Sequence, residues 1–186
     1  MMQLDVWNIS GSGFHFGRHG LEQEDSGVHL PSDSLFAALT ARLAALDGPQ
    51  AVDAWGQAFR SNPPWVASSA FPRAGGVRFF PTPLRTAASK KPEDGRPAHK
   101  FIKRLRFVSE GVFRALLNGG SLADLYDPDL CLQNRQALLL DAEMSALPPA
   151  PGASKAIWAV EQRPRVTIGR EAQNSTLYFT GRTQFA

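Results

Sequence analysis

Residues Ser10–Leu39 read SGSGFHFGRHGLEQEDSGVHLPSDSLFAAL. The stretch opens on glycines in the manner of a phosphate-binding loop and closes on an apolar pattern of helical period. Three of the four histidines, His15, His19 and His29, lie within it. Its reading separates a nucleotide fold from an α+β domain. A dinucleotide fingerprint beginning at Gly11 and Gly13 requires a third glycine at position 16, where Phe16 stands, and no G-K-[ST] follows. The helix also begins about a dozen residues too late for a phosphate to rest on its N-terminus. The glycines therefore turn the chain between a strand and a helix.

Working outward, Leu4, Val6, Trp7 and Ile9 fit a first strand. After the polar loop, Pro31-Ser32 opens a helix, with Ser32 as N-cap and Asp33 in the positive first turn. Leu35, Phe36, Leu39, Leu43 and Leu46 then predict one buried stripe, and Asp47-Gly48-Pro49 ends it. A second helix carries Val52, Trp55 and Phe59 and stops at Asn62-Pro63-Pro64. Strand-like pieces follow at Trp65–Ala70 and Val77–Phe80. The run PTPLRTAASKKPEDGRPAHK, 81–100, reads as a long flexible loop. Lys103–Val108 alternates charged and apolar residues, as a strand with one basic face would. Ser109 caps a helix containing Val112, Phe113, Leu116 and Leu117, ended by Gly119-Gly120. Residues 145–155 form a loop. Strands are expected at Lys155–Val160, Arg165–Ile168 and Thr176–Thr180. The order strand, helix, strands, helix, strands suits an α+β sandwich of the βαββαβ, ferredoxin-like kind.

The chain has 186 residues, 43% of them hydrophobic and 20% charged. That is enough for one well-packed domain, and a single domain over 1–186 is expected. No apolar run is long enough to span a membrane, and the N-terminus lacks a basic, apolar leader. Cys131 is the lone cysteine, which excludes a disulfide framework and a cysteine zinc site and points to a cytoplasmic location. No histidine pair has the H-E-x-x-H spacing of a metal site, and no cofactor is expected.

The net charge of +3 conceals an asymmetry. Residues 1–60 hold three arginines against seven acids, whereas residues 73–114 hold eleven lysines and arginines against three acids. A basic middle between acidic flanks is either a polyanion surface or a solvated basic loop. Lys100, Lys103, Arg104 and Arg106 are its densest part. Phe71, Phe79, Phe80, Phe101 and Phe107 lie among these charges and can serve as stacking platforms or as core. Further on, RVTIGR, Arg165–Arg170, places Arg165, Thr167 and Gly169 on one strand face and Val166, Ile168 and Arg170 on the other. Arginine suits bidentate phosphate contact, and a salt-bridged edge strand has the same composition. A histidine such as His15 can act as general acid or base, although a lone histidine in a turn is more often structural.

Taken in order, these blocks resemble one family. GFHFGRHGLEQEDSGVHLPSDSLFAAL is similar to the N-terminal signature of the fourth Csm subunit of type III-A CRISPR effector complexes. FPRAGGVRFFPTPL, KFIKRLRFVSEGVFRALLNGG and RPRVTIGREAQNSTLYFTG resemble its later blocks. The resemblance implies a RAMP protein with a ferredoxin-like (RRM-like) core, in which 83–99 is part of a thumb hairpin or a flexible basic insertion. It implies a non-catalytic RNA-binding subunit that holds the 5′ handle of the CRISPR RNA. That subunit would bridge the large polymerase-like subunit to the backbone RAMP subunits in antiviral defence. Carried over by motif, the RNA-facing residues are His15 and Gly17 in the H-F-G turn, Ser32 and Asp33 at the helix start, and Arg165 and Arg170. The charge pattern adds Lys100, Lys103, Arg104 and Arg106.

Two departures stand out. The family's second RAMP-type domain and C-terminal glycine-rich loop do not occur within these residues, so the resemblance covers the family's N-terminal portion. Gly169 stands where Asp or Asn commonly precedes the second arginine. Two alternatives remain open. One is a metal-independent RAMP endoribonuclease that uses His15 or His19 on repeat RNA. The other is a protein-binding module that turns its acidic first sixty residues towards a basic partner.

Overall fold

The computed structural model describes residues 4–17, 25–84, 101–149, 156–168 and 175–186. The chain is a mixed α+β protein. Helices α1 (Ser32–Asp47) and α2 (Pro49–Ser61) come first. Strands β1 (Arg73–Ala74), β2 (Val77–Pro81) and β3 (Phe107–Ser109) lead into α3 (Glu110–Leu117) and α4 (Leu122–Leu125). Strands β4 (Cys131–Leu132) and β5 (Ala137–Leu138) follow, and the long strands β6 (Trp158–Ile168) and β7 (Ser175–Phe185) close the order.

Five strands form one sheet in the order β1-β2-β3-β5-β4. The pairs are antiparallel except β3–β5, which is parallel because α3 and α4 intervene and carry the chain back. The alternation of side chains sorts its residues into two cores. Val77, Phe79, Phe107, Leu132 and Ala137 pack on one face with Ile157 and Trp158. Val108, Cys131 and Leu138 pack on the other with Val112, Leu116 and Leu122 of α3 and α4. The α3 start follows the sequence: the Ser109 hydroxyl accepts from the Val112 N–H at 3.3 Å. At the other end Gly119 takes a left-handed φ of 91°, and the Gly120 N–H closes on the Ala115 carbonyl at 2.9 Å.

β6 and β7 pair over their whole length as a separate hairpin, from Trp158 opposite Phe185 to Ile168 opposite Ser175. At about 3.3 Å per residue, eleven residues reach some 36 Å, longer than the core needs. The base of the hairpin is fixed. Trp158 is buried against Phe107, and the Gln133 amide bonds the Ile157 N–H at 2.9 Å and the Trp158 carbonyl at 3.0 Å. Gln133 opens a β4–β5 turn in which Gln133, Asn134 and Arg135 all have positive φ. The two side-chain bonds, to Ile157 and to Trp158 at the start of β6, offset part of that conformational cost.

Several expectations are corrected here. Leu4–Ile9 forms no strand. Leu4 and Trp7 are 80% and 88% exposed, and among the described residues no strand pairs with them. Pairing begins later, at Phe14, which exchanges two backbone hydrogen bonds with Thr183 of β7. The N-cap of α1 is Pro31 rather than Ser32. Proline has no N–H to satisfy and takes the boundary, and Ser32 is the first helical residue, its N–H donated to the Ser69 hydroxyl. The α1 stripe is not buried, with Leu39 and Leu46 at 43% and 62% exposure. α1 and α2 form an excursion between Leu30 and Ala70, whose backbones pair reciprocally. The pair packs chiefly on itself through Phe36, Trp55, Phe59 and Trp65.

Trp65–Ala70 contributes only that single bridge. Lys103–Val108 is not one strand: residues 101–105 make a helical turn, and Ile102, Leu105, Phe107 and Val108 are all buried. Two short strands expected near Lys155–Val160 and Arg165–Ile168 are one continuous strand, β6.

Candidate nucleic-acid interface

The hairpin has two unlike faces. Register places Glu161 opposite Arg182, Arg163 opposite Thr180 and Arg165 opposite Tyr178 on one of them. The alternate positions, Pro164 with Phe179 and Val166 with Leu177, form the other. One face is thus basic and aromatic and the other apolar.

The basic face borders a cleft of about 490 Å³ lined by His15, Arg163, Arg165, Tyr178, Thr180 and Arg182. Pairing of Phe14 with Thr183 brings His15 to this face. His15 Nδ1 lies 2.7 Å from the Gly181 carbonyl, so Nδ1 carries the proton and the ring is held in place. Arg182 reaches across the sheet edge and donates from Nη2 to the Ser12 carbonyl at 2.7 Å and to its hydroxyl at 3.0 Å. That path runs over Gly13, where a Cβ would lie 2.0 Å from the Arg182 Nε. Glycine is needed there for close approach, not for a turn. Arg163 pairs with the exposed Glu161 at 3.0 Å. Among the described residues Arg165 makes no ion pair.

A second, smaller pocket of about 210 Å³ is lined by the residues that follow His15 in the chain. Phe16 and Gly17 line it, with Val28, His29, Pro31 and Arg106. Arg106 stands with Lys103 and Arg104 on the turn before β3, all three exposed. Arg106 leans over the Phe107 ring at 5.7 Å. Arg135, from the β4–β5 turn, covers the Phe101 ring at 4.3 Å.

Of the residues singled out from sequence, His15 and Arg165 meet in the cleft, and Gly17 and Arg106 meet in the pocket. Lys103 and Arg104 lie beside Arg106 in sequence, on the solvent side. Ser32 and Asp33 are exposed at the start of α1, just beyond Pro31, and line neither cavity. The Asp33 carboxylate is engaged locally, accepting from the Ser34 N–H at 2.7 Å. Lys100, Arg170 and His19 lie outside the described residues, as does the loop from residue 85 to 99. The aromatic residues divide: Phe79 and Phe107 are core, whereas Phe101 is capped by Arg135.

Sequence reasoning missed Arg163, Tyr178, Arg182 and Gly13. Period-two spacing already puts Arg163 on the face of Arg165. Arg182 and Tyr178 require the hairpin register, which only the pairing supplies. No family model matches the chain, and no curated protein matches it.

Proposed function

We propose that this chain is a non-catalytic subunit that binds single-stranded RNA. The observation that carries the reading is the convergence of His15, Arg163, Arg165 and Arg182 with the Tyr178 ring on one face of the hairpin. Arginines suit the phosphates, and an aromatic ring offers a base a platform whatever its sequence. The exposed turn Lys103, Arg104 and Arg106 adds further phosphate contacts.

The finer reading rests on the sequence blocks. The subunit is a ferredoxin-like RAMP protein of the Csm kind, acting in the cytoplasm within a type III-A CRISPR ribonucleoprotein. It holds the 5′ handle of the CRISPR RNA and joins the large polymerase-like subunit to the backbone RAMP subunits. No helix among the described residues is long and apolar enough to cross a membrane.

The test is fluorescence anisotropy of the full chain with a labelled single-stranded RNA that carries a repeat-derived handle. Binding that weakens linearly with the logarithm of salt, and weakens again in the Arg163→Ala/Arg165→Ala double variant, is the expected result. A double variant that binds as tightly as the parent overturns the interface. One observation favours a second reading: a histidine with a fixed tautomer borders the cleft. Metal-independent cleavage of repeat RNA that disappears in His15→Ala would replace the non-catalytic reading with the endoribonuclease one.

A further inference from the structure

The geometry points to the 210 Å³ pocket at Phe16 and Gly17 as the seat of one base turned out of the bound RNA strand, with guanine preferred. This rests on the RNA-binding reading above and adds a specificity site to it. Its size is the first argument. Pockets for drug-sized ligands run to about 300–1,000 Å³, so this one suits a single planar ring system rather than a whole nucleotide.

Its lining is the second argument. The Phe16 and His29 rings and the Val28 and Pro31 side chains make it chiefly apolar, and Arg106 is its one charged group. The His29 ring is itself backed by Phe71, with centroids 6.4 Å apart and planes within 27°. An apolar lining that includes two ring-bearing residues and one arginine matches a base that stacks and presents acceptors. Guanine offers O6 and N7 together, the pair that arginine reads best.

Position is the third argument. His15 lines the cleft and the next two residues, Phe16 and Gly17, line the pocket. One continuous segment, His15-Phe16-Gly17, therefore borders both cavities. Arg106 also belongs to the basic turn with Lys103 and Arg104, which gives the strand a course onward. The floor is rigid: the Gly27 N–H bonds the Phe16 carbonyl at 2.7 Å, and the Phe16 N–H bonds the Ser26 hydroxyl at 3.0 Å.

The experiment compares two RNAs of twelve nucleotides by anisotropy, one all uridine and one with a single central guanosine. The parent chain should bind the guanosine oligomer about tenfold more tightly, the order expected of one stacked and hydrogen-bonded base. Gly17→Phe fills the pocket from an exposed position of ordinary backbone geometry, and Arg106→Gln removes the guanidinium without touching the core. Each should reduce the two affinities to a common value. Equal affinities in the parent, or a guanosine preference that survives in both variants, overturns the base pocket. If Arg163→Ala/Arg165→Ala still weakens both oligomers in that case, the RNA-binding surface stands without the pocket. If the parent binds neither oligomer, the pocket and the interface both fail.

Discussion

The hydroxyl oxygens of Ser26 and Thr183 lie 2.8 Å apart, both fully buried, although 157 residues separate them in the chain. The direction of the network follows from its members. Thr183 Oγ1 donates its proton to the Gly27 carbonyl at 2.7 Å, so it accepts from Ser26. Ser26 Oγ in turn accepts the Phe16 N–H. Three segments are tied at one point: the turn that carries His15, the loop before α1, and β7. Both cavities of the proposed interface are bordered by these segments.

Thr183→Val keeps the shape and removes this node. It takes the acceptor from the Ser26 hydroxyl and the close donor from the Gly27 carbonyl, leaving between them only the long 3.4 Å contact, which costs about 1–3 kcal/mol. Thr183→Ser retains the hydroxyl and loses only a methyl group, so it should cost clearly less. Urea unfolding midpoints of the two variants check this. Equal midpoints would show that the packing of the methyl group, not the hydrogen bonds, holds the junction.

Arg165 lines the cleft and makes no ion pair among the described residues. Arg165→Ala should lower the slope of log affinity against log salt by about one, and Arg163→Ala/Arg165→Ala by less than twice that, because Arg163 is already paired with Glu161. Titrations over a range of potassium chloride concentrations measure the slope directly. An unchanged slope with lower affinity would mean that these residues act by packing rather than on phosphates.

Gly13→Ala tests the interface from the opposite side. A methyl group there would fall 2.0 Å from the Arg182 Nε, so the guanidinium has to leave its bonds to Ser12. RNA affinity should fall about threefold to tenfold, in the range of one lost charged contact, with little change in global unfolding. Arg182→Ala should give a similar loss, and combining it with Gly13→Ala should add almost nothing, because both remove the same contact.

Glu110 provides a pH prediction. Its carboxylate accepts from Arg114 at 2.7 Å and from Arg78 Nε at 2.7 Å, and these guanidiniums, Arg114 foremost, hold it below the usual carboxylate range against the opposing effect of burial. A depressed folded pKa means that the stabilisation is complete above the unfolded value, near 4.3, and is lost as pH falls through the folded one. Glu110→Gln should therefore be less stable than the parent at pH 6 and converge with it towards pH 3, both pH values being approximate. Urea midpoints at several pH values show the convergence. Parallel curves would place the acid sensitivity elsewhere.

The sequence was most legible where a local signal and a tertiary one agree. Ser109, followed by Val112 and Leu116, specifies α3 through its cap and its stripe, and both are present. Alternation through Arg165–Ile168 separates a basic face from an apolar one, and the hairpin keeps that division. Legibility failed where a local pattern had no tertiary partner. Leu4, Val6 and Ile9 have the period of a strand but no edge to join, and Leu39 and Leu46 have the period of a buried stripe but lie on a helix pair that packs mostly on itself. The turn before β3 shows the opposite failure: burial of Ile102, Leu105, Phe107 and Val108 overrides an alternation of charges. Arg182 and Gly13 were illegible for a geometric reason. Their meeting depends on the register between the Phe14 segment and β7, which neither segment encodes alone.

Glu143 carries the last prediction, since it joins the short 3₁₀ helix Asp141–Ala146 to the start of α3. Its carboxylate accepts the Gly111 N–H at 2.9 Å, the Leu140 N–H at 3.0 Å and the Ser109 hydroxyl. An acid at this place satisfies helix N–H groups that the Ser109 cap cannot reach, and it complements the positive end of the helix. A Cβ on Gly111 would lie 2.9 Å from that carboxylate, which explains glycine within the first turn. Glu143→Ala should cost about 1–2 kcal/mol, the order of a lost cap. Glu143→Gln keeps one acceptor oxygen and should recover part of that loss. Amide exchange at Gly111 and Val112 should quicken in Glu143→Ala well before global unfolding. If those amides instead stay as protected as in the parent, α3 is held by Val112 and Leu116 in the core, and the carboxylate is incidental to it.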